Sequence, residues 1–389
     1  MLDLTTDLTA AIAERKQHER FRQLKNVAPV NAVEISWDGK TYLNFSSNDY
    51  LGLSQHPLLK ERAIEFINRY GVGSGASRLV SGNNEAYDVI EDKLAKLKGT
   101  EAALVFSTGY QLNLTVLIAL AELEVSFFCD RLSHNSILTG VSFSQAKFAR
   151  FKHNDLADLE EKLASFRTKA TTGWILTESL FGMDGDFADL ARLVSLSQRV
   201  GTKLFVDEAH ATGVFGENGM GLASQHKGID LIMGTFGKGL GSFGAYIACS
   251  KQMRDYLINF CSGFIYTTAL PPPVLGAIDA ALEIVPTMSK ERKHLLALAE
   301  HAQTEIKSLG FDVGLSASQI IPVIIGKDLQ VTSLAQYLAD SNIFVSAIRP
   351  PTVPDGTARL RLSLSAQHTE AHIEKLIKAL KQWRAASKS

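Results

Sequence analysis

At 389 residues the chain is long enough for a sizeable core and more than one domain, and 46% apolar with 21% charged residues is the balance of an ordinary soluble globular protein. Its 40 basic and 41 acidic residues leave a net charge of −1, which gives no electrostatic reason to bind nucleic acid or an anionic membrane. Cys129, Cys249 and Cys261 lie far apart and outside any CxxC, so no disulfide framework and no metal site are expected; three reduced thiols fit a cytoplasmic protein.

The first element predicted is a helix over residues 4–24, with Leu4, Leu8 and Ile12 on one face and Arg20 and Arg22 exposed near its end. Asp3 and Asp7 replace the basic start and apolar stretch of a signal peptide. Pro57 suits the first turn of a helix running to about Tyr70, and the glycine-rich segment 71–77 follows. Tyr87, Ile90, Leu94 and Leu97 mark the next helix, which Gly99 is placed to end. The longest apolar run, Leu112 to Leu123, is too short to span a bilayer and reads as a core helix.

Short apolar runs then alternate with helical stretches. Ala102–Phe106, Val125–Cys129, Gly173–Thr177, Lys203–Val206, Leu231–Met233 and Ala245–Cys249 read as buried strands, and residues 189–200 as one of the helices between them. This alternation predicts an α/β fold with a mostly parallel sheet and helices on both faces, whose ligands bind beyond the carboxyl ends of the strands. After Pro271–Pro273 a helical stretch over 274–308 leads to Ile320–Ile325, a helix near 331–340, Ile343–Ile348, Ala358–Ser365 and a helix near 369–385. The expected division is a helical N-terminal arm (1–48), a large domain (49–273) and a smaller α+β C-terminal domain (274–389).

Several residues carry chemistry. Lys238 lies between glycines in Gly234-Thr-Phe-Gly-Lys-Gly, where nothing bulky crowds its amine. Asp207 ends the apolar run Leu204-Phe-Val-Asp and is aimed into a crevice. An amine able to form a Schiff base, with a buried carboxylate to hold a pyridine nitrogen protonated, is the minimum equipment for pyridoxal phosphate chemistry. Phe106-Ser-Thr-Gly-Tyr110 passes from strand to helix, so the amides of Gly109 and Tyr110 could hold a phosphate, or the segment could be an ordinary turn. His210, soon after Asp207, and His134, in Asp130-Arg-Leu-Ser-His, could serve the ligand or sit as hydrogen-bonded core residues. Arg349 and Arg361, on C-terminal strands, could be solvated or could clamp a carboxylate. Lys238 is not a P-loop lysine, because Ile232 stands at the first glycine position and Gly239 follows it. The 71–77 run does not follow a strand, so it is no dinucleotide fingerprint.

Asn44-Phe-Ser-Ser-Asn-Asp-Tyr-Leu-Gly, Gly73-Ser-Gly-Ala-Ser-Arg-Leu-Val-Ser-Gly, Asp130-Arg-Leu-Ser-His, Met183-Asp-Gly-Asp, Val206-Asp-Glu-Ala-His-Ala-Thr-Gly and Gly234-Thr-Phe-Gly-Lys-Gly occur in this order. Together they resemble the α-oxoamine synthases, pyridoxal phosphate enzymes of fold type I, over about residues 12–380. The resemblance implies that Lys238, His134 and Asp207 are catalytic: Lys238 carries the cofactor, Asp207 pairs with the pyridine nitrogen and His134 stacks on the ring. It adds Gly109, Tyr110, Glu178, His210, Thr235 and Thr267 to the cofactor-binding set. Thr267, in Tyr266-Thr-Thr, would reach the phosphate of a partner subunit, which implies a homodimer with shared active sites. Asn48 and Arg361 would position an amino-acid carboxylate. Arg22, His134 and Thr352 are substrate-contact positions, with Arg349 a candidate for a distal carboxylate.

Within the family, the arm carrying Arg22, Ile348-Arg-Pro-Pro-Thr-Val-Pro and Thr357-Ala-Arg-Leu-Arg-Leu-Ser-Leu-Ser resemble the branch that joins L-alanine to a pimeloyl thioester. The donor would be pimeloyl-CoA or pimeloyl-ACP, the latter making an acyl carrier protein a partner. Sibling enzymes that use glycine with acetyl-CoA or succinyl-CoA, and a non-catalytic subunit of the same fold, are the competing readings. Two positions depart from the family pattern: Gly182 stands where serine is usual and Tyr87 where histidine is usual.

Overall fold

Apolar runs with no polar alternation have to be covered on both faces, and here they form the centre of a computed structural model that describes residues 4–165 and 172–386. We label the strands of the main sheet in chain order: β1 (Ala102–Phe106), β2 (Ser126–Asp130), β3 (Lys147–Phe151), β4 (Gly173–Glu178), β5 (Lys203–Asp207), β6 (Leu231–Thr235) and β7 (Ala245–Cys249). Their order is β1-β7-β6-β5-β4-β2-β3. β7 runs antiparallel to both neighbours, and the other pairings are parallel. β1, β2, β4 and β7 are buried along their whole length. Alternate residues, among them Phe127, Trp174, Leu176, Phe205, Met233 and Ile247, pack with Leu112, Val116 and Leu120 of the helix Gly109–Ala121. The α/β architecture of fold type I, with helices covering a mostly parallel sheet, is therefore the architecture of this chain.

The chain forms two compact units. The larger comprises Asp49–Gly182 and Asp186–Arg292; the smaller comprises Met1–Asn48, Met183–Gly185 and Lys293–Ser389. Helix Pro272–Ile284 belongs to the larger unit, whereas the sequence pattern assigns it to the small domain. The expected single helix over 274–308 is two, Pro272–Ile284 and Ser289–Ser308. A 3₁₀ turn at Val285–Thr287 separates them, where Pro286 cannot donate a backbone hydrogen bond.

In the smaller unit the N-terminal helix runs only from Leu4 to Gln17, and Leu8 and Ile12 remain exposed. Residues 18–48 are not helical. Val27–Pro29, Glu34–Trp37 and Lys40–Asn44 form an antiparallel set that Ile343–Phe344 extends in parallel. Asp38 and Gly39 both have positive φ, 48° and 75°, as a two-residue hairpin turn demands. The expected strand Ile343–Ile348 is divided: Ser346–Ile348 instead joins Ile320–Gly326 and Ala358–Ser363 in a three-stranded antiparallel sheet. Helices Asp328–Asp340 and Glu370–Ala386 complete the unit. Among the described residues no helix is long and apolar enough to cross a membrane.

Candidate active site

Parallel pairing brings the carboxyl ends of neighbouring strands to one edge of the sheet, so residues far apart in sequence end side by side. Glu178, last in β4, is the register partner of Asp207, last in β5. Both are buried. Asp207 Oδ1 accepts the Ala209 N–H at 2.9 Å, and Oδ2 accepts the Asn113 Nδ2–H at 2.8 Å. Asn113 lies on the helix that follows β1 and also donates to Ser136 Oγ at 3.0 Å. Glu178 Oε1 accepts the His134 N–H at 2.7 Å, and Oε2 accepts that of Gly182 at 3.4 Å. Burial, then the nearby charge of Asp207, pushes the Glu178 carboxyl up to about 8.

His134 starts the helix Asn135–Phe143, with Nδ1 2.7 Å from Ser136 Oγ. Partial burial of its ring pushes the pKa below the usual histidine value, so the neutral form is favoured. The ring stands edge-on to Tyr110, centroids 6.3 Å apart at 82°. Tyr110 is half exposed and donates to Asn135 Oδ1 at 3.0 Å. Thr108 caps the helix Gly109–Ala121 by accepting the Gln111 N–H at 3.2 Å, and the first-turn amides of Gly109 and Tyr110 precede any intrahelical acceptor. The Gln111 side-chain amide reaches the Thr267 hydroxyl of the same chain.

Lys238 sits on the loop between β6 and β7, with Nζ 2.7 Å from His210 Nε2. Thr235 pins this loop by donating to Gly244 O at 2.9 Å and accepting the Gly237 N–H at 3.1 Å. Gly239 is required by close approach: a Cβ there would lie 2.5 Å from Thr212 O. His210 Nδ1 meets the Tyr50 phenol at 2.6 Å.

The larger unit thus holds Gly109, Tyr110, His134, Glu178, Asp207, His210, Thr235, Lys238 and Thr267. The remaining expected residues belong to the smaller unit. Arg361 Nη1 donates to Asn48 Oδ1 at 3.0 Å and to Ser363 Oγ at 2.7 Å. Arg22 Nη2 donates to Thr352 Oγ1 at 3.2 Å, and Arg349 donates to the Glu19 carbonyl. Tyr50, Asn113 and Ser136 join the site without having been marked by the sequence pattern. Tyr50 lies in the Asn44–Gly52 motif, but Asn113 and Ser136 carry no local signal. Of the two departures, Tyr87 is structural: its oxygen accepts the Leu270 N–H at 2.8 Å, and the Arg78 guanidinium covers its ring at 3.8 Å. Gly182 borders His210 directly.

The donor set fits pyridoxal phosphate. Lys238 offers a primary amine for the aldehyde, Asp207 a buried anion for the ring nitrogen, His134 a ring face, and the capped helix N-terminus amides for a phosphate.

Comparison with known proteins agrees. The family model for aminotransferase class I and II matches residues 40–380. The 8-amino-7-oxononanoate synthase of Gluconacetobacter diazotrophicus is 50% identical over 370 residues, 92% of this chain and 93% of that protein. That of Geotalea daltonii is 44% identical over 365 residues, 92% and 93% of the two chains. Among solved structures, Sphingomonas wittichii serine palmitoyltransferase aligns with a TM-score of 0.93 at 28% identity, covering 99% of each chain. The 8-amino-7-oxononanoate synthase of Francisella tularensis aligns at 0.77 and 28% identity, covering 90% of this chain and 99% of that one. A match over most of the chain at half identity leaves no gap between fold and family: the chain belongs to the aminotransferase class I and II family and, within it, to the α-oxoamine synthases, enzymes whose cofactor is pyridoxal phosphate.

Proposed function

We propose that the chain condenses L-alanine with a pimeloyl thioester, carried on coenzyme A or acyl carrier protein, to give 8-amino-7-oxononanoate, carbon dioxide and the free thiol, a step toward biotin in the cytoplasm. The carrying observation is the set of groups at the carboxyl ends of β4, β5 and β6: the Lys238 amine 2.7 Å from an imidazole, and the Asp207 carboxylate fixed by the Asn113 amide at 2.8 Å. Relatives at 44–50% identity that bear the name of this activity support the choice of substrates.

When bound, pyridoxal phosphate supplies an electron-accepting ring that makes the α-carbon of an amino acid acidic enough to lose a proton and later lets a β-keto acid lose carbon dioxide. Lys238 would hold the cofactor between turnovers, and its Nζ would take the α-proton of alanine and return a proton to the product. Asp207 would pair with the ring nitrogen and, as an anion, keep it protonated. His134, held by Glu178 and Ser136, would offer its ring face to the cofactor and border the acyl substrate. The Gly109 and Tyr110 amides, with Thr235, would hold the phosphate, Thr267 would reach that of a partner subunit, and His210 would face the phenolic oxygen. Asn48 and Arg361 orient the alanine carboxylate; Arg22, Thr352 and Arg349 meet the acyl chain. The working form is a homodimer that shares its active sites.

The test is thiol release. Purified protein is incubated with L-alanine, glycine or L-serine, each with pimeloyl-, acetyl-, succinyl- or palmitoyl-CoA, and alanine also with pimeloyl-ACP. Alanine with a pimeloyl donor is expected to release thiol fastest. The shape match to serine palmitoyltransferase makes serine with palmitoyl-CoA the rival arm, and a faster rate in that arm or with glycine overturns the assignment.

A further inference from the structure

Within the larger unit the imidazole of His210 is constrained from three directions. Tyr50, fully buried, brings its phenol oxygen to 2.6 Å from Nδ1. Lys238 Nζ lies 2.7 Å from Nε2. On the third side stands Gly182, where a Cβ would fall 2.2 Å from Nε2 and 2.6 Å from Cδ2, so the ring can occupy this position only because residue 182 has no side chain. A phenol donates more readily than it accepts. When Tyr50 donates to Nδ1, that nitrogen presents its lone pair and the ring proton is on Nε2. An Nε2–H can donate to a neutral amine but not to an ammonium group, which has donors only.

We propose that Tyr50 and Gly182 are positioning residues that lock His210 as the Nε2–H tautomer facing Lys238, so that the ring favours the uncharged amine able to attack an aldehyde. The proton that leaves the ammonium form goes to bulk water. This inference rests on the reading of Lys238 as the cofactor amine and adds to it the means by which that amine is kept nucleophilic. Asp207, Glu178 and His134 act in the same electrostatic neighbourhood and are retained in every variant below.

The experiment uses the full-length apoprotein. Labelling of Lys238 by dinitrofluorobenzene is followed against pH by peptide mass mapping, for wild type, Tyr50→Phe, Gly182→Ala and the double variant. Each single variant is expected to move the Lys238 labelling profile upward by about one pH unit, an approximately tenfold smaller uncharged fraction near neutrality. The rate at the alkaline plateau stays unchanged, which a merely structural disturbance would not spare. The double variant is expected to move no further than the larger single one, because both act through one ring. Profiles superimposable on wild type in both single variants overturn the proposal. Tyr50→Phe removes one oxygen and carries the test if Gly182→Ala folds poorly. Nitrogen-15 NMR of the His210 ring in the apoprotein gives a second readout: a proton on Nε2 supports the proposal and a proton on Nδ1 alone overturns it. Borohydride reduction after adding pyridoxal phosphate separates the role of Lys238 from that of Tyr50 and Gly182. Absence of a Lys238 adduct defeats the functional assignment, whereas unchanged labelling profiles beside a normal adduct defeat only the role of Tyr50 and Gly182.

Discussion

Glu178 Oε1 accepts the backbone N–H of His134 at 2.7 Å, so the last residue of β4 holds the loop that follows β2. Burial and Asp207 raise this carboxyl from 4.5 to about 8. Between those values the folded apoprotein keeps a proton that the unfolded chain has lost, so stability is fully present below pH 4.5 and falls as pH rises through 8. Glu178→Gln removes this dependence while an amide oxygen can still accept the His134 N–H. Urea unfolding of the apoproteins is expected to show the variant gaining on wild type from pH 5 to pH 8, by at most about 1.4 kcal/mol for each pH unit crossed. A constant difference across that range contradicts the assignment.

His153 forms a second bridge in the larger unit. Its Nδ1 lies 2.9 Å from Asp130 Oδ1 and its Nε2 2.8 Å from Asp186 Oδ2, with the ring edge-on to Phe181 at 4.4 Å. Burial opposes a charge on this ring, but hydrogen bonds and attraction to the two carboxylates together outweigh it and raise the pKa to about 10. For a histidine raised above its ordinary 6.5, the stabilisation is complete below pH 6.5 and is lost as pH rises through 10. His153→Gln is therefore expected to cost about 2 kcal/mol at pH 6, a figure discounted for the fifth of the side chain that water reaches, and much less at pH 10. Urea midpoints at the two pH values check it; an equal loss at both would mean that the ring acts by packing alone.

How far these relationships can be read from sequence depends on whether the signal is local. β1, β2, β4 and β7 are buried throughout, and uninterrupted apolar runs announce them. β3 is an edge strand whose residues are mostly exposed or half-exposed, so Lys147–Phe151 has no such run and nothing in the pattern marks it. The Asp38-Gly39 hairpin does carry a local turn signal, but its strands are short and half-exposed, which hides them behind the helical pattern of the arm's first residues. Lys238 and Asp207 stand out because a glycine loop and a strand end place them, whereas Glu178 enters only through the family resemblance. The long-range pairs around them are not legible: Asn113 is 94 residues from Asp207, Tyr50 is 160 from His210, and His153 is 33 from Asp186. Such pairs meet only in the tertiary fold, where helices and loops pack against the sheet.

Beside Asp207, Glu208 points into the protein and meets a lysine. Lys98 Nζ lies 2.9 Å from Glu208 Oε2, and neither side chain has any exposure. Oε1 accepts the N–H groups of Leu222 at 2.6 Å and Ala223 at 2.8 Å. Burial opposes the Lys98 charge, yet Glu208 and Tyr246 outweigh it and raise the pKa of the amine. Lys98→Met leaves a carboxylate buried without its counter-charge and is expected to cost about 3–5 kcal/mol. Adding Glu208→Gln removes the orphaned charge while keeping an acceptor for both amides, and is expected to recover most of the loss. Urea unfolding of the single and double variants decides; a double variant as unstable as the single one would mean that packing of the lysine stem, not charge pairing, holds this region.

In the proposed reaction Asp207 and Lys238 divide the chemistry between an anion and an amine, so their variants are expected to fail differently. Lys238→Ala removes the covalent attachment. It is expected to bind pyridoxal phosphate only reversibly, to show no adduct after borohydride reduction, and to lose thiol release by at least about a thousandfold. Asp207→Asn keeps nearly the same shape, and its amide can still accept the Asn113 Nδ2–H through Oδ1. It cannot supply the negative charge that keeps a ring nitrogen protonated. The cofactor is therefore expected to attach at Lys238 as in wild type, detectable by peptide mapping, while turnover falls by about 100-fold or more, roughly 3 kcal/mol of transition-state stabilisation. Measuring attachment and turnover in the same preparations separates the two roles. Loss of attachment in Asp207→Asn would make the aspartate a residue for cofactor capture, and turnover near the wild-type rate would remove it from the mechanism.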